Sequence, residues 1–179
     1  MNFSFTLLLR LLVVAALAST PALALAEIPS ASDQCAADLE ETTPSSDFTP
    51  LEDGEVVRHE PTDLEWQRCP NGMQWFDGTC AGSAQASGWI GALRTADEAG
   101  DGWRLPDVNE LQSIVERCRV SPAVNEEVFP RTPPTIWFWS SSPRSSSPGS
   151  AWFVNFDIGR VELASTSLSM TFRLVRDAQ

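Results

Sequence analysis

The spacing of apolar residues changes period along the chain, and each change marks an element. From residue 56 the period is two: Val56-Val57-Arg58-His59 and Leu64-Glu65-Trp66-Gln67-Arg68 read as short strands around a turn at Pro61-Thr62-Asp63. Over 86–99 it lengthens, with Trp89, Ala92, Leu93 and Ala96 at helical spacing up to Gly100. Gly102-Trp103-Arg104-Leu105-Pro106 leads into a second helix, where Asp107 is a suitable N-cap and Glu110, three residues on, completes a capping box. Leu111, Ile114, Val115 and Cys118 form its inward stripe, and Pro122 ends it. Period two then returns over 136–140, 151–156 and 160–163, with a turn at Asp157-Ile158-Gly159, and 171–176 closes the chain. Trp137 and Trp139 share one face of the first of these strands and Ile136 and Phe138 the other, which predicts a central, buried strand. Trp152, Val154 and Phe156 share one face of the next. The plan is α+β, two helices on a mainly antiparallel sheet, with Trp66, Trp103, Leu105, Leu111, Trp139 and Trp152 in the core.

The pattern is different before residue 56. An apolar run over 7–17, broken only by Arg10, precedes Pro21 and Ala24-Leu25-Ala26, the small-residue signature of signal-peptide cleavage after Ala26. The run is short of the ~20 residues that span a bilayer. The expected product is therefore exported, to the periplasm, cell surface or medium, with no stable membrane insertion after cleavage. Residues 27–55 hold nine acids and no base among Ser, Thr and Pro, a composition that predicts a loosely ordered acidic segment. The folded domain is expected over 56–177. Four Cys in an exported chain imply two disulfides. Cys69 and Cys80 bracket the turn-formers Pro70-Asn71-Gly72 and Asp77-Gly78, which makes them natural partners and leaves Cys35 with Cys118. A zinc site would need tighter Cys pairs.

Charge narrows the function. The chain has 12 basic residues, all Arg, against 24 acids; without Arg10 the exported part carries a net −13. That excludes a general nucleic-acid binder and disfavours anionic lipid. The single imidazole, His59, has no Ser or Cys nucleophile near it in sequence and is expected at the surface or in a turn. Glu126-Glu127 and Asp97-Glu98 are adjacent pairs, which a helix would point to different sides. No phosphate-cradling glycine motif is present. No catalytic residue, metal or cofactor is expected.

The order of Leu64-Glu65-Trp66-Gln67-Arg68-Cys69, Gly102-Trp103-Arg104-Leu105-Pro106, Asn109-Glu110-Leu111, Trp139-Ser140-Ser141-Ser142, Ala151-Trp152-Phe153-Val154-Asn155-Phe156 and Arg173-Leu174-Val175-Arg176 resembles the C-terminal domain of the Legionella collagen-like adhesin and its exported bacterial relatives. The resemblance spans roughly 56–177. It implies a compact fold of the C-type-lectin-like kind and a binding role; in the adhesin the domain trimerises and binds sulfated glycosaminoglycans, so a homotrimer is the implied assembly. This chain carries no Gly-X-Y region, no Lys, and none of the signatures of calcium-dependent lectins. In such a fold the serine-rich loop 141–150 is the expected ligand face. Arg144, with Asn155 or Asp157 from the neighbouring strand end, is expected to hydrogen-bond a neutral or weakly anionic glycan without metal. The alternatives are an accessory subunit of a cell-envelope assembly and, through remote fold kinship, an enzyme related to formylglycine-generating oxidases.

Overall fold

The computed structural model describes residues 35–36, 38–133 and 137–179. The expected leader, the acids Glu27 and Asp33, and Ile136 lie outside the described residues. In chain order the elements are β1 (Phe48–Leu51), β2 (Val56–His59), β3 (Leu64–Gln67), β4 (Met73–Phe76), β5 (Thr79–Gly82), α1 (Trp89–Ala99), α2 (Val108–Ser113), β6 (Trp137–Pro143), β7 (Ser150–Asn155), β8 (Arg160–Ser165) and β9 (Val175–Asp177). They form three antiparallel sheets, ordered β1-β2-β3-β9, β4-β5 and β6-β7-β8. The mixed, mostly antiparallel fold with two helices is the one the periodicity predicts.

Strands β6 and β7 bury residues on both faces, and strand parity decides which helix covers which. Phe138, Val154 and Phe156 cluster with Leu111 of α2 and Ile114 just after it. Trp139, Ala151 and Phe153 point the other way and cluster with Ala92 and Ala96 of α1. The Trp89 indole donates to the Ser140 carbonyl (2.7 Å) and the Trp139 indole to that of Ser87 (3.1 Å), which fixes α1 on β6. α2 begins with the capping box: Asp107 accepts from the Asn109 and Glu110 amides, and Glu110 accepts from the Asp107 amide. The two disulfides are Cys69–Cys80 and Cys35–Cys118.

Several expectations are corrected. Part of the acidic segment 27–55 is integral to the fold: Phe48–Leu51 is an edge strand paired with β2, and Phe48 is buried. This strand places β2 inside the sheet, so His59 is 4% exposed and stacks on Phe48 at 4.6 Å instead of sitting at the surface. The second helix stops at Ser113. Ile114, Val115 and Cys118 are still buried, but Glu116 turns away from a helical path to hold the N-terminal segment. The strand expected over 136–140 reaches Pro143, and Trp137 at its start is 43% exposed instead of buried. Trp103 and Trp152, expected in the core, are half-buried; Trp103 packs at the margin of the α1 cluster. The β4-β5 hairpin, which carries Cys80 on its second strand, has no counterpart in the expected elements; Gly and Asp mark its turns, but its strands are too short for a clear period.

Candidate functional site

The connector 102–106 and its neighbours build a concave feature of the domain. Asp101 and Gly102 take positive φ (48° and 77°), which brings Trp103 back so that its amide donates to the Gly100 carbonyl at 2.8 Å. Arg104 then exchanges two backbone hydrogen bonds with Val175 of β9, at 2.9 and 3.0 Å. The Pro106 carbonyl accepts from the Ser141 amide of β6 at 2.7 Å. The connector thus bridges two sheets, and between it and α1 lies a cleft of about 290 Å³. Leu93, Ala96 and Asp97, spaced to fall on one side of α1, line one wall, and Trp103, Arg104, Leu105 and Ser141 the other.

Charge around the cleft is organised. The Arg104 guanidinium makes a two-pronged pair with Glu110 (2.7 Å each) and a further bond to Asp177 (2.9 Å), which raises its pKa despite partial burial. Arg176 stacks on the Trp103 ring at 4.4 Å and pairs with Glu65 (2.7 Å) and Glu52 (2.6 Å). The exposed Asp97 carboxylate makes no hydrogen bond or ion pair among the described residues.

The serine-rich loop begins beside this cleft, since Ser141 lines it and the loop proper follows β6. Arg144 is exposed, with its guanidinium 5.8 Å from the half-buried Trp152 ring and Nε donating to Ser146 Oγ at 3.0 Å. Ser147 and Ser150 share a hydroxyl hydrogen bond at 3.2 Å. Asn155 and Asp157 are not part of this arrangement. They sit at the far end of β7, five residues or about 17 Å along an extended strand from Ser150. There Asn155 accepts from the Asp157 amide (3.0 Å) and Asp157 accepts from Ser121 Oγ (2.6 Å), closing the turn. Of the expected core residues, Trp66, Leu105, Leu111 and Trp139 lie in the two clusters.

Other polar groups are engaged structurally. His59 Nδ1 lies 2.7 Å from Thr62 Oγ1, and burial lowers its pKa although Asp47 and Glu60 oppose this, so the ring is neutral at neutral pH. A second cavity, of about 190 Å³, opens beside β1, but Arg68 on its wall is spent on the carbonyls of Val128 and Glu127 (2.6 and 2.7 Å). Cys35, Glu116 and Cys118 converge, yet both sulfurs are in the disulfide. Arg173, fully buried, donates to the carbonyls of Gln67 (2.9 Å) and Arg68 and to Thr132 Oγ1 (3.0 Å). Burial pushes its pKa down to about 9.

These features define a small, disulfide-clamped α+β domain with a preformed cleft and no free cysteine among the described residues. The family model of the Lcl C-terminal domain matches residues 55–176, and the chain belongs to that family. No curated protein matches the sequence. No helix among the described residues is long and apolar enough to cross a membrane.

Proposed function

We propose that this chain is an exported, adhesin-type recognition module that binds a ligand without transforming it. The family supports a binding role. The observation that carries the finer reading is the partly open Trp152 ring at the foot of a loop of serine hydroxyls, with Arg144 above it. A flat apolar ring flanked by neutral hydroxyls suits a neutral or weakly anionic glycan, because one sugar face is apolar and its rim carries hydroxyls. Arg144 would add a charge-assisted bond to a sugar oxygen. On this reading the leader over 1–26 directs export, and a homotrimer would multiply a weak single-site affinity.

The experiment is a glycan array with the purified exported chain, Arg144→Ala, and a variant with 145–148 replaced by two glycines, each with and without chelator. The expected result is glycan binding that Arg144→Ala weakens, loop shortening removes and chelator leaves intact. Binding that survives loop shortening, or no binding to any glycan, overturns the glycan reading. Capture of the same envelope complex by wild type and the loop variant would favour the accessory-subunit alternative instead.

A further inference from the structure

We propose that the cleft between α1 and the 102–106 connector is a second, independent site that takes the cationic side chain of an arginine or lysine from a basic segment of a partner protein. Its walls supply the two surfaces such a side chain needs. Leu93, Ala96 and Leu105 are apolar and would cover an aliphatic stem, while Trp103 and Asp97 bound the same space and would face the charged head; Arg104 is also on the wall, with its guanidinium held by Glu110 and Asp177. The Trp103 ring already holds one guanidinium, that of Arg176 at 4.4 Å, so the indole is placed where cation–ring contact is favourable. At about 290 Å³ the cleft has room for one long side chain.

The electrostatic surroundings favour a cation in spite of the two nearby arginines. Arg104 is matched by Glu110 and Asp177, and Arg176 by Glu65 and Glu52. With Asp97 added, two guanidinium groups face five carboxylates, and Asp97 is the one carboxylate among them without an internal partner. An entering anion would meet this excess negative charge; an entering cation meets its missing counter-charge. The chain as a whole, at −12, draws basic partners to the surface over a longer range.

The test uses the full exported chain with capped tripeptides Gly-Arg-Gly, Gly-Lys-Gly and Gly-citrulline-Gly, read by NMR shifts of the tryptophan indole protons. Trp103→Phe assigns the relevant signal. Saturable shifts of the Trp103 signal are expected with the arginine and lysine peptides and not with citrulline, which keeps the shape but lacks the charge. Asp97→Asn, at an exposed helix position, should weaken binding about twofold to fivefold, read on the Trp103 indole signal. Unchanged melting temperatures show that both variants are folded. Equal binding of the citrulline peptide, no binding of the charged peptides, or an Asp97→Asn variant with wild-type affinity would each overturn the proposal. Arg144→Ala should leave this binding intact, so failure here and failure of the loop-bound glycan are separate results.

Discussion

Glu116 shows how much one side chain decides in this fold. Its carboxylate, fully buried, accepts from the amides of Thr42 (2.9 and 3.0 Å), Thr43 (2.8 Å) and Cys118 (3.1 Å) and from both threonine hydroxyls. Burial alone would raise its pKa, but the hydrogen bonds from Thr42, Cys118 and Thr43 outweigh that and lower it. A depressed carboxyl stabilises the fold above the ordinary carboxylate range, and the contribution disappears as pH falls through the depressed value. Glu116→Gln presents an amide to a ring of donors and should cost about 2–4 kcal/mol at neutral pH. Thermal unfolding across pH checks this: the gap between variant and wild type is expected to be widest near neutrality and to narrow in acid. A constant gap down to about pH 2 would show that the charge plays no part. No sequence pattern pointed to Glu116, because Thr42 and Thr43 lie more than seventy residues away and contact at that range leaves no local periodicity.

At the scale of elements, local signals were legible and marginal placements were not. Asp107 and Glu110 announced the start of α2 because a capping box is built from residues three apart. The end of α2 was misjudged because Ile114, Val115 and Cys118 keep helical spacing while being buried in a coil whose path the Cys35–Cys118 bridge and Glu116 set. The strand β1 was hidden by its acidic, proline-containing neighbourhood; only pairing with Val56–His59 makes it a strand. That segment is clamped by the long disulfide, whose loop entropy is worth roughly 4–5 kcal/mol against about 3 for Cys69–Cys80. Cys35→Ser with Cys118→Ser should therefore speed amide exchange in 42–51 well before it does so in β6 and β7. Uniform acceleration everywhere would mean that β1 unfolds only with the whole domain. The β7-β8 turn makes a sharper demand. Gly159 has φ +67°, and a Cβ there would come 2.8 Å from Val115 Cγ1 and 3.2 Å from the Ala123 Cβ. Gly159→Ala is thus expected to lose about 1–3 kcal/mol, read as a lower melting temperature.

For the whole molecule, the α+β plan followed from the period of apolar positions. The cleft did not, since Leu93, Trp103 and Ser141 meet only once the connector has bridged β6 and β9. Nor could the sequence show how few arginines remain uncommitted. Among the described residues Arg58, Arg104, Arg119 and Arg176 are ion-paired, and Arg68 and Arg173 donate to backbone carbonyls. Arg94, Arg117, Arg131, Arg144 and Arg160 lie outside these arrangements: Arg94 on α1, Arg117 and Arg131 on the connection between α2 and β6, Arg144 on the loop after β6 and Arg160 on β8. Sulfated glycosaminoglycans bind through several adjacent cations that displace counterions together, and scattered single arginines on a −12 chain do not provide that. The chain is accordingly expected to pass through a heparin column without retention at physiological ionic strength, where the Debye length is about 8 Å and a lone arginine gains little from a distant sulfate. Lowering the salt should not create retention, because the long-range repulsion from the acids grows along with the attraction of the arginines. Retention that strengthens as salt falls would reveal a concentrated basic patch, formed between copies of the chain, and would show that the acidic charge does not govern which polyanions this protein meets.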